Sequence, residues 1–553
     1  MSPFETMNPA ADQELPPLAL AGHRLPQPPA EEPQVAEYAI PVGGLDREQR
    51  LRALDRIDTY LAHKRQHLLG YQANQELDGC ASDLGRFMRH NINNLGDPFR
   101  SGGYKPNTKA VEHAVLDYYA DLWRAKGPHS PEDPESYWGY ALSMGSTEGN
   151  MYALWNARDY LSGKPLIRPT ASSGSGAVVT PNSRRPVAFY SEDTHYSFAK
   201  AVRVLGVETF HDIGVENYPG QCPLPGSGGV WPLEVPSVPG PSGLSWDGTG
   251  EISVDALELL VEFFAAKGHP VFVSLNLGST FKGAHDDVRA VCERLLPIFE
   301  RYGMVESEVV RGRDQRSGEL LTDRRRRFWI HVDGALGAAY LPFLRLAQES
   351  PETYGWTPAA PAPEFDFGLR LPTAGHGEVD LVSSIAMSGH KWPGVPWPCG
   401  IYMTKVKYQV SPPSQPDYTG APDTTFAGSR NGFSPLVLWD HLARHSHADQ
   451  VDRIRRSQEL AAYLESRLTA LERTHGLTLW PARTPGALTV RFRKPSPELV
   501  TKWSLSAQDV LTTPGEEATR RSYVHVFLMP SVTREKLDAL LDDLVNDPVI
   551  TGS

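Results

Sequence analysis

The sequence predicts an α/β protein, with a mainly parallel sheet in a large domain and a small α/β domain at its C-terminal end. Three observations carry this. Short apolar runs alternate with segments whose apolar residues recur at helical spacing. Several of those runs stop at small, hydroxylated or charged residues, as strands do when their carboxyl ends carry a site. The 553 residues, 40% hydrophobic and 22% charged, are enough for a large core and a second domain.

Charge and cysteine content narrow the function classes. A net charge of -12 argues against a nucleic-acid or anionic-membrane surface, and the one dense basic run, Arg324 to Arg327, reads as a solvated loop. No apolar run is long enough to span a bilayer. The opening residues MSPFETMNPAADQELPPL lack the basic start and apolar core of a secretion signal, so a cytoplasmic location is expected. Cys80, Cys222, Cys292 and Cys399 are far apart without paired spacing, so neither a disulfide framework nor a metal site is expected.

Residues 1–45, rich in Pro, Ala and Glu, read as a disordered or extended arm. Residues 46–130 read as a helical N-terminal segment. Leu51, Leu54, Ile57, Leu61 and Leu68 mark a helix over 46–69, and Val111, Val115, Tyr118, Tyr119 and Leu122 mark another over 108–126. Between them FMRHNINNLGDPF is polar and turn-rich.

Residues 131–420 read as the large domain. An apolar lead-in, Tyr140 to Met144, reaches Gly145-Ser146-Thr147-Glu148-Gly149, and a helix follows. Small hydroxyl residues at a helix start, with unpaired N–H groups, can cup a phosphate or simply cap the helix. After a Ser/Gly/Pro-rich linker at 167–186, VAFY reads as a strand and a helix begins near Tyr196, which puts His195 at the turn, as a structural hydrogen-bonder or a cofactor contact. Residues 218–250 are Pro/Gly-rich and read as a surface insertion, whereas HPVFVSLNLGST reads as a buried strand ending at Ser279 and Thr280, followed by a helix over 286–301.

The charged segment 303–327 reads as a loop. Phe328 to Val332 then makes a strand with Asp333 at its carboxyl end, beside Gly334, Ala335 and Gly337. A carboxylate there can pair with a protonated ring nitrogen, or cap the next turn. A further Pro-rich insertion, 350–376, precedes an apolar strand over 379–385 and the turn Ser388-Gly389-His390-Lys391-Trp392. Lys391 would project from that turn into a sheltered place. A buried ammonium is costly to desolvate, its pKa falls, and its amine can then attack a carbonyl to form a Schiff base; a surface or phosphate-contacting lysine is the alternative. Residues 421–548 read as the small domain, with a long helix over 451–474, strands over 487–492 and 523–528, and a last helix over 533–545.

The phosphate cup, the turn histidine, the Ser-Thr strand end, Asp333 and Lys391 are all parts that pyridoxal phosphate chemistry can use. The segments SMGSTEGNMYALWNARDYL, SEDTHYSFAKAVRVL, LNLGST, HVDGALGAAYLPF, SGHKW and AGSRNG resemble the group II pyridoxal phosphate-dependent amino-acid decarboxylases, in particular bacterial histidine decarboxylases and plant serine decarboxylases. The resemblance covers roughly residues 50 to 545. It implies the aspartate aminotransferase-like fold (fold type I), the cofactor pyridoxal 5'-phosphate, and a homodimer with sites at the interface.

It also implies roles. Lys391 bonds the cofactor's aldehyde, Ser388 and His390 lie near the phosphate, and Ser146 and Thr147 cup it with a hydroxyl from Ser279 or Thr280. His195 stacks on one face of the ring with Ala335 on the other, and Asp333 keeps the ring nitrogen protonated. Tyr418, by its position in a loop, reprotonates Cα, while His90, Asn93, Asn94 and Asp97 lie near the substrate. In YVHVFLMP, Phe527 and Met529 are apolar where the histidine enzymes look more polar, and the Pro/Gly-rich insertions resemble those of actinomycete relatives that include valine decarboxylases. A branched-chain substrate, valine or leucine, is therefore expected, with histidine second. A pyridoxal phosphate lyase or aminotransferase would share Lys391 and Asp333 but would usually add an arginine clamp; a catalytically idle cofactor-binding protein is the remaining reading.

Overall fold

The structure is a computed structural model that describes residues 32–77, 83–169, 180–414, 417–512 and 520–552, so that Cys80 and most of the expected N-terminal arm lie outside the described residues. The chain divides into two compact units, one up to His67 and one from Leu68 onward. The first holds the helix Arg47–Gln66, started by a reciprocal cap in which the Asp46 carboxylate accepts from the Gln49 N–H and the Gln49 side chain accepts from the Asp46 N–H.

In the second unit the strands run, in chain order, β1 (Tyr137–Leu142), β2 (Val187–Phe189), β3 (Glu208–Thr209), β4 (Val271–Asn276), a hairpin of β5 (Ser307–Arg313) and β6 (Leu320–Arg325), then β7 (Phe328–Asp333). A second hairpin pairs β8 (Arg370–Thr373) with β9 (Gly377–Asp380), and β10 (Val382–Ser388), β11 (Gly400–Lys405), β12 (Thr489–Arg493), β13 (Ser506–Leu511) and β14 (Arg520–Phe527) follow.

Seven strands form the central sheet in the order β1-β11-β10-β7-β4-β2-β3. The run from β10 to β3 is parallel, and β11 is antiparallel to both its neighbours. Both faces of the sheet are covered. Val271, Val273, Phe328 and Ile330 enter one apolar cluster, while the intervening Phe272 and Trp329 enter another with Leu154, Tyr160 and Phe198. Burial on both faces is why these strands read as continuous apolar runs rather than alternating ones. The helix Ser146–Leu161 crosses β7, β10 and β11, and Lys109–Leu122 packs on β1. C-terminal strands β12, β14 and β13 form a separate antiparallel sheet, followed by the helix Arg534–Val545. No helix among the described residues is long and apolar enough to cross a membrane.

Three expectations need correction. Residues 218–250 are not a surface insertion without core: Trp231 and Val235 are buried, and the Trp231 indole fits against Gly214, where any Cβ would come within 2.4 Å of the ring. Burying such a side chain contributes about 1.5–3 kcal/mol, which a search for periodicity overlooks. The charged segment 303–327 is not a loop but carries the β5–β6 hairpin, and Arg325 in its basic run is buried, donating to the carbonyls of Tyr160 and Lys164 and to Asp323. The insertion 350–376 likewise delivers Phe365, Phe367 and Leu369 to the core.

Candidate active site

The carboxyl ends of the parallel strands and of β1 surround a cavity of about 230 Å³. Ser146 and Thr147 enter it from the turn after β1, and His195 from the turn after β2. Ser279 and Thr280 follow β4, Asp333 and Ala335 end β7, and Ser388, His390 and Lys391 end β10. The structure thus brings every cofactor-binding residue expected from sequence to one place. A larger groove of about 960 Å³, lined by residues such as Arg289, Arg345 and Glu364, contains none of them.

At one end the cavity is built for an anion. Gly145 turns the chain at φ +71°, and a Cβ there would meet His390 Cε1 at 2.7 Å, so only glycine lets the turn close on the His390 ring. The helix Ser146–Leu161 then starts with its N–H groups toward the cavity end. One of them, from Ser146, donates to Ser388 Oγ at 2.9 Å and ties the helix to the end of β10. The Ser146 hydroxyl itself is buried without a protein partner. An unsatisfied buried hydroxyl at a helix start is the kind of donor that suits an anion.

The same cavity holds Lys391, Asp333 and His195. Burial pushes the Lys391 amine down to about 8, against the Asp333 carboxylate, which raises it. Asp333 accepts from the Ala335 N–H at 3.1 Å and from Asn150 Nδ2 at 2.6 Å, which leaves lone pairs for a further donor. The neighbouring strands place Asn276 and Ala386 on either side of it in register. His195 is held below the ordinary histidine value by burial and by the Lys391 charge. Its Nδ1 accepts from the Ser197 N–H at 3.3 Å and lies 2.6 Å from the Ser197 hydroxyl, so the neutral ring carries its proton on Nε2. An unpartnered hydroxyl for the phosphate, an amine of lowered pKa and a carboxylate with free lone pairs together fit pyridoxal phosphate.

The substrate residues expected from sequence do not line this cavity. His90 is exposed. Asn93 bonds Ser429 and the Arg430 N–H. Fully buried Asn94 donates to Glu112 and accepts from the N–H and hydroxyl of Thr108. Asp97 accepts from the Trp138 indole and the Thr424 hydroxyl. Glu112 in turn pairs with Arg430 of the AGSRNG segment, and both side chains are buried. The NINN and AGSRNG segments are thus two halves of a polar latch. Tyr418 is 85% exposed and lies outside the cavity, and Phe527 and Met529 are core residues at 2% and 1% exposure. Sequence reasoning missed Ser197, Asn276 and Asn150; only Asn150, one helical turn after Ser146 and so on the same face, carried a readable signal.

Comparison with protein families returns no match. The chain is similar to the crystal structure of L-methionine decarboxylase from Streptomyces sp. 590, with 75% identity, a TM-score of 0.91, and coverage of 94% of this chain and 99% of that one. Histidine decarboxylase of Mesorhizobium japonicum is 27% identical over 90% of this chain and 98% of its own length. Serine decarboxylase 1 of Oryza sativa subsp. japonica is 27% identical over 88% and 73%. Glutamate decarboxylase of Lactobacillus brevis, 15% identical with a TM-score of 0.56, shares the fold. With this site on a fold type I sheet, and this likeness along nearly its whole length, the chain belongs to the group II pyridoxal phosphate-dependent amino-acid decarboxylases.

Proposed function

We propose that this enzyme removes the carboxylate of L-methionine as carbon dioxide and releases 3-methylthiopropylamine. The observation that carries the choice of substrate is the 75% identity to an L-methionine decarboxylase, against 27–28% for histidine decarboxylases. Valine and leucine come second: the expectation of a branched chain rested partly on Phe527 and Met529, which are packed into the core. Histidine ranks third.

When bound, pyridoxal phosphate supplies an aldehyde for amines and an electron-poor ring that accepts the electron pair left on Cα as carbon dioxide departs. The rest is the work of this chain. Lys391, with its amine partly neutral near pH 8, is the residue that would hold the cofactor through its aldehyde until a substrate amine displaced it. The Asp333 carboxylate holds the ring nitrogen protonated and so keeps the ring electron-poor. His195 and Ala335, which line the cavity together, would hold the cofactor ring between them. Ser146, Thr147, Ser388 and His390, with a hydroxyl from Ser279 or Thr280, would hold the phosphate and so orient the bound group in the cavity. One C–C bond breaks and one proton is taken up at Cα, which we assign to Tyr418. Its exposure suits a side chain that serves the cavity of a second copy in a homodimer.

Equimolar L-methionine, L-leucine, L-valine and L-histidine, offered together with the amines quantified by mass spectrometry, test the substrate. The proposal expects 3-methylthiopropylamine to dominate. A majority of isobutylamine, isopentylamine or histamine would overturn it.

A further inference from the structure

The Asp333 carboxylate is the end point of a buried chain of polar groups. Trp329 Nε1 donates to Ser384 Oγ at 2.9 Å; Ser384 Oγ lies 2.8 Å from His331 Nδ1; His331 Nε2 lies 3.0 Å from Asn150 Oδ1; and Asn150 Nδ2 donates to Asp333 Oδ2 at 2.6 Å. Each of these residues is at most 6% exposed. The fold makes the juxtaposition: Trp329, His331 and Asp333 alternate along β7, Ser384 is the register partner of His331 on β10, and Asn150 sits on the helix that crosses both strands.

The direction of every bond is forced. An indole nitrogen only donates and an ionised carboxylate only accepts. Asn150 must therefore turn its NH₂ to Asp333 and its carbonyl to His331, so His331 carries its proton on Nε2. The neutral ring leaves Nδ1 as an acceptor, and the Ser384 hydroxyl, already accepting from Trp329, gives its hydrogen there. Burial pushes His331 down to about 4, which keeps the ring neutral.

We propose that Asn150, His331 and Ser384 are positioning residues: a one-way relay of hydrogen bonds that fixes the orientation of the Asp333 carboxylate in the cavity. Donors aligned in one sense polarise one another and strengthen the last bond of the chain. The inference rests on the role assigned to Asp333 above, and the test separates the two.

The test is a double-mutant cycle of His331→Phe with Asp333→Asn, read by the dissociation constant of pyridoxal phosphate from its visible absorbance and by kcat and KM for L-methionine. In the native background His331→Phe leaves the buried Asn150 carbonyl without its donor and weakens cofactor binding and kcat roughly 10- to 100-fold, the cost of an unsatisfied buried acceptor, and His331→Gln, which keeps the donor to Asn150, recovers most of the loss. In the Asp333→Asn background the same change costs less than about threefold, because the relay has lost its end point. Equal losses in both backgrounds, or no loss in either, would overturn the relay. If Asp333→Asn alone retains native values, the role of Asp333 is what fails. Should His331→Phe not fold, Asn150→Ala takes its place in the cycle under the same criterion.

Discussion

Lys391 can be read directly by mixing apoenzyme with pyridoxal phosphate between about pH 6 and pH 11, the range that spans the shifted and the ordinary lysine value. Its amine is pushed down to about 8 by burial, with Asp333 opposing that shift. Only the neutral amine attacks an aldehyde. At pH 7 roughly a tenth of such an amine is neutral, against about one part in three thousand for an ordinary lysine, a gain of roughly 300-fold in the reactive form. Capture, followed after rapid mixing as a rise in visible absorbance, therefore climbs about tenfold per pH unit below pH 8 and levels off above it. Replacing Asp333 by Asn removes the charge that favours the ammonium, so the inflection moves to lower pH. Capture at pH 7 then becomes faster, although the captured cofactor is held more weakly. A rate that keeps climbing through pH 10, or an inflection that moves up in Asp333→Asn, refutes the reasoning.

Two other predictions concern residues away from the Lys391 cavity. Arg430→Met leaves the buried Glu112 carboxylate without its cation, which costs about 3–5 kcal/mol and lowers the urea midpoint; Arg430→Met with Glu112→Gln recovers much of it, and single variants as stable as the native chain would contradict the latch. Tyr418→Phe keeps carbon dioxide release but diverts turnover from the amine to carbonyl side products, measured as the ratio of amine to carbon dioxide; a native ratio removes Tyr418 from the reaction.

What the sequence could show follows from locality. Ser146, His195, Ser279, Asp333 and Lys391 each sit within a few positions of an apolar strand end, so the strand-then-turn pattern singled out residues that the fold gathers around one cavity. Strand β11, buried on both faces, has no alternation to mark it, and β13 is mostly exposed along its length. The β5–β6 hairpin was hidden by its charges, because Asp323 and Arg325 satisfy each other inside the protein. The residues of the NINN loop, expected near the substrate, do not line the cavity, and what they do instead was hidden for a different reason. Asn94 and Glu112 act on Arg430, and Glu112 and Arg430 are 318 positions apart in the chain, a partnership that no local pattern records. The Asn150–His331 contact spans 181 positions and was equally out of reach.

The proposed reaction, Lys391-dependent decarboxylation of L-methionine, can be read in one experiment: mass spectrometry of the products from L-methionine, pyridoxal phosphate and either native enzyme or Lys391→Ala. The native enzyme is expected to form 3-methylthiopropylamine and carbon dioxide in equal amounts, and the variant none above background. Amine formation that persists without Lys391, or no amine from the fully loaded native enzyme, would contradict it.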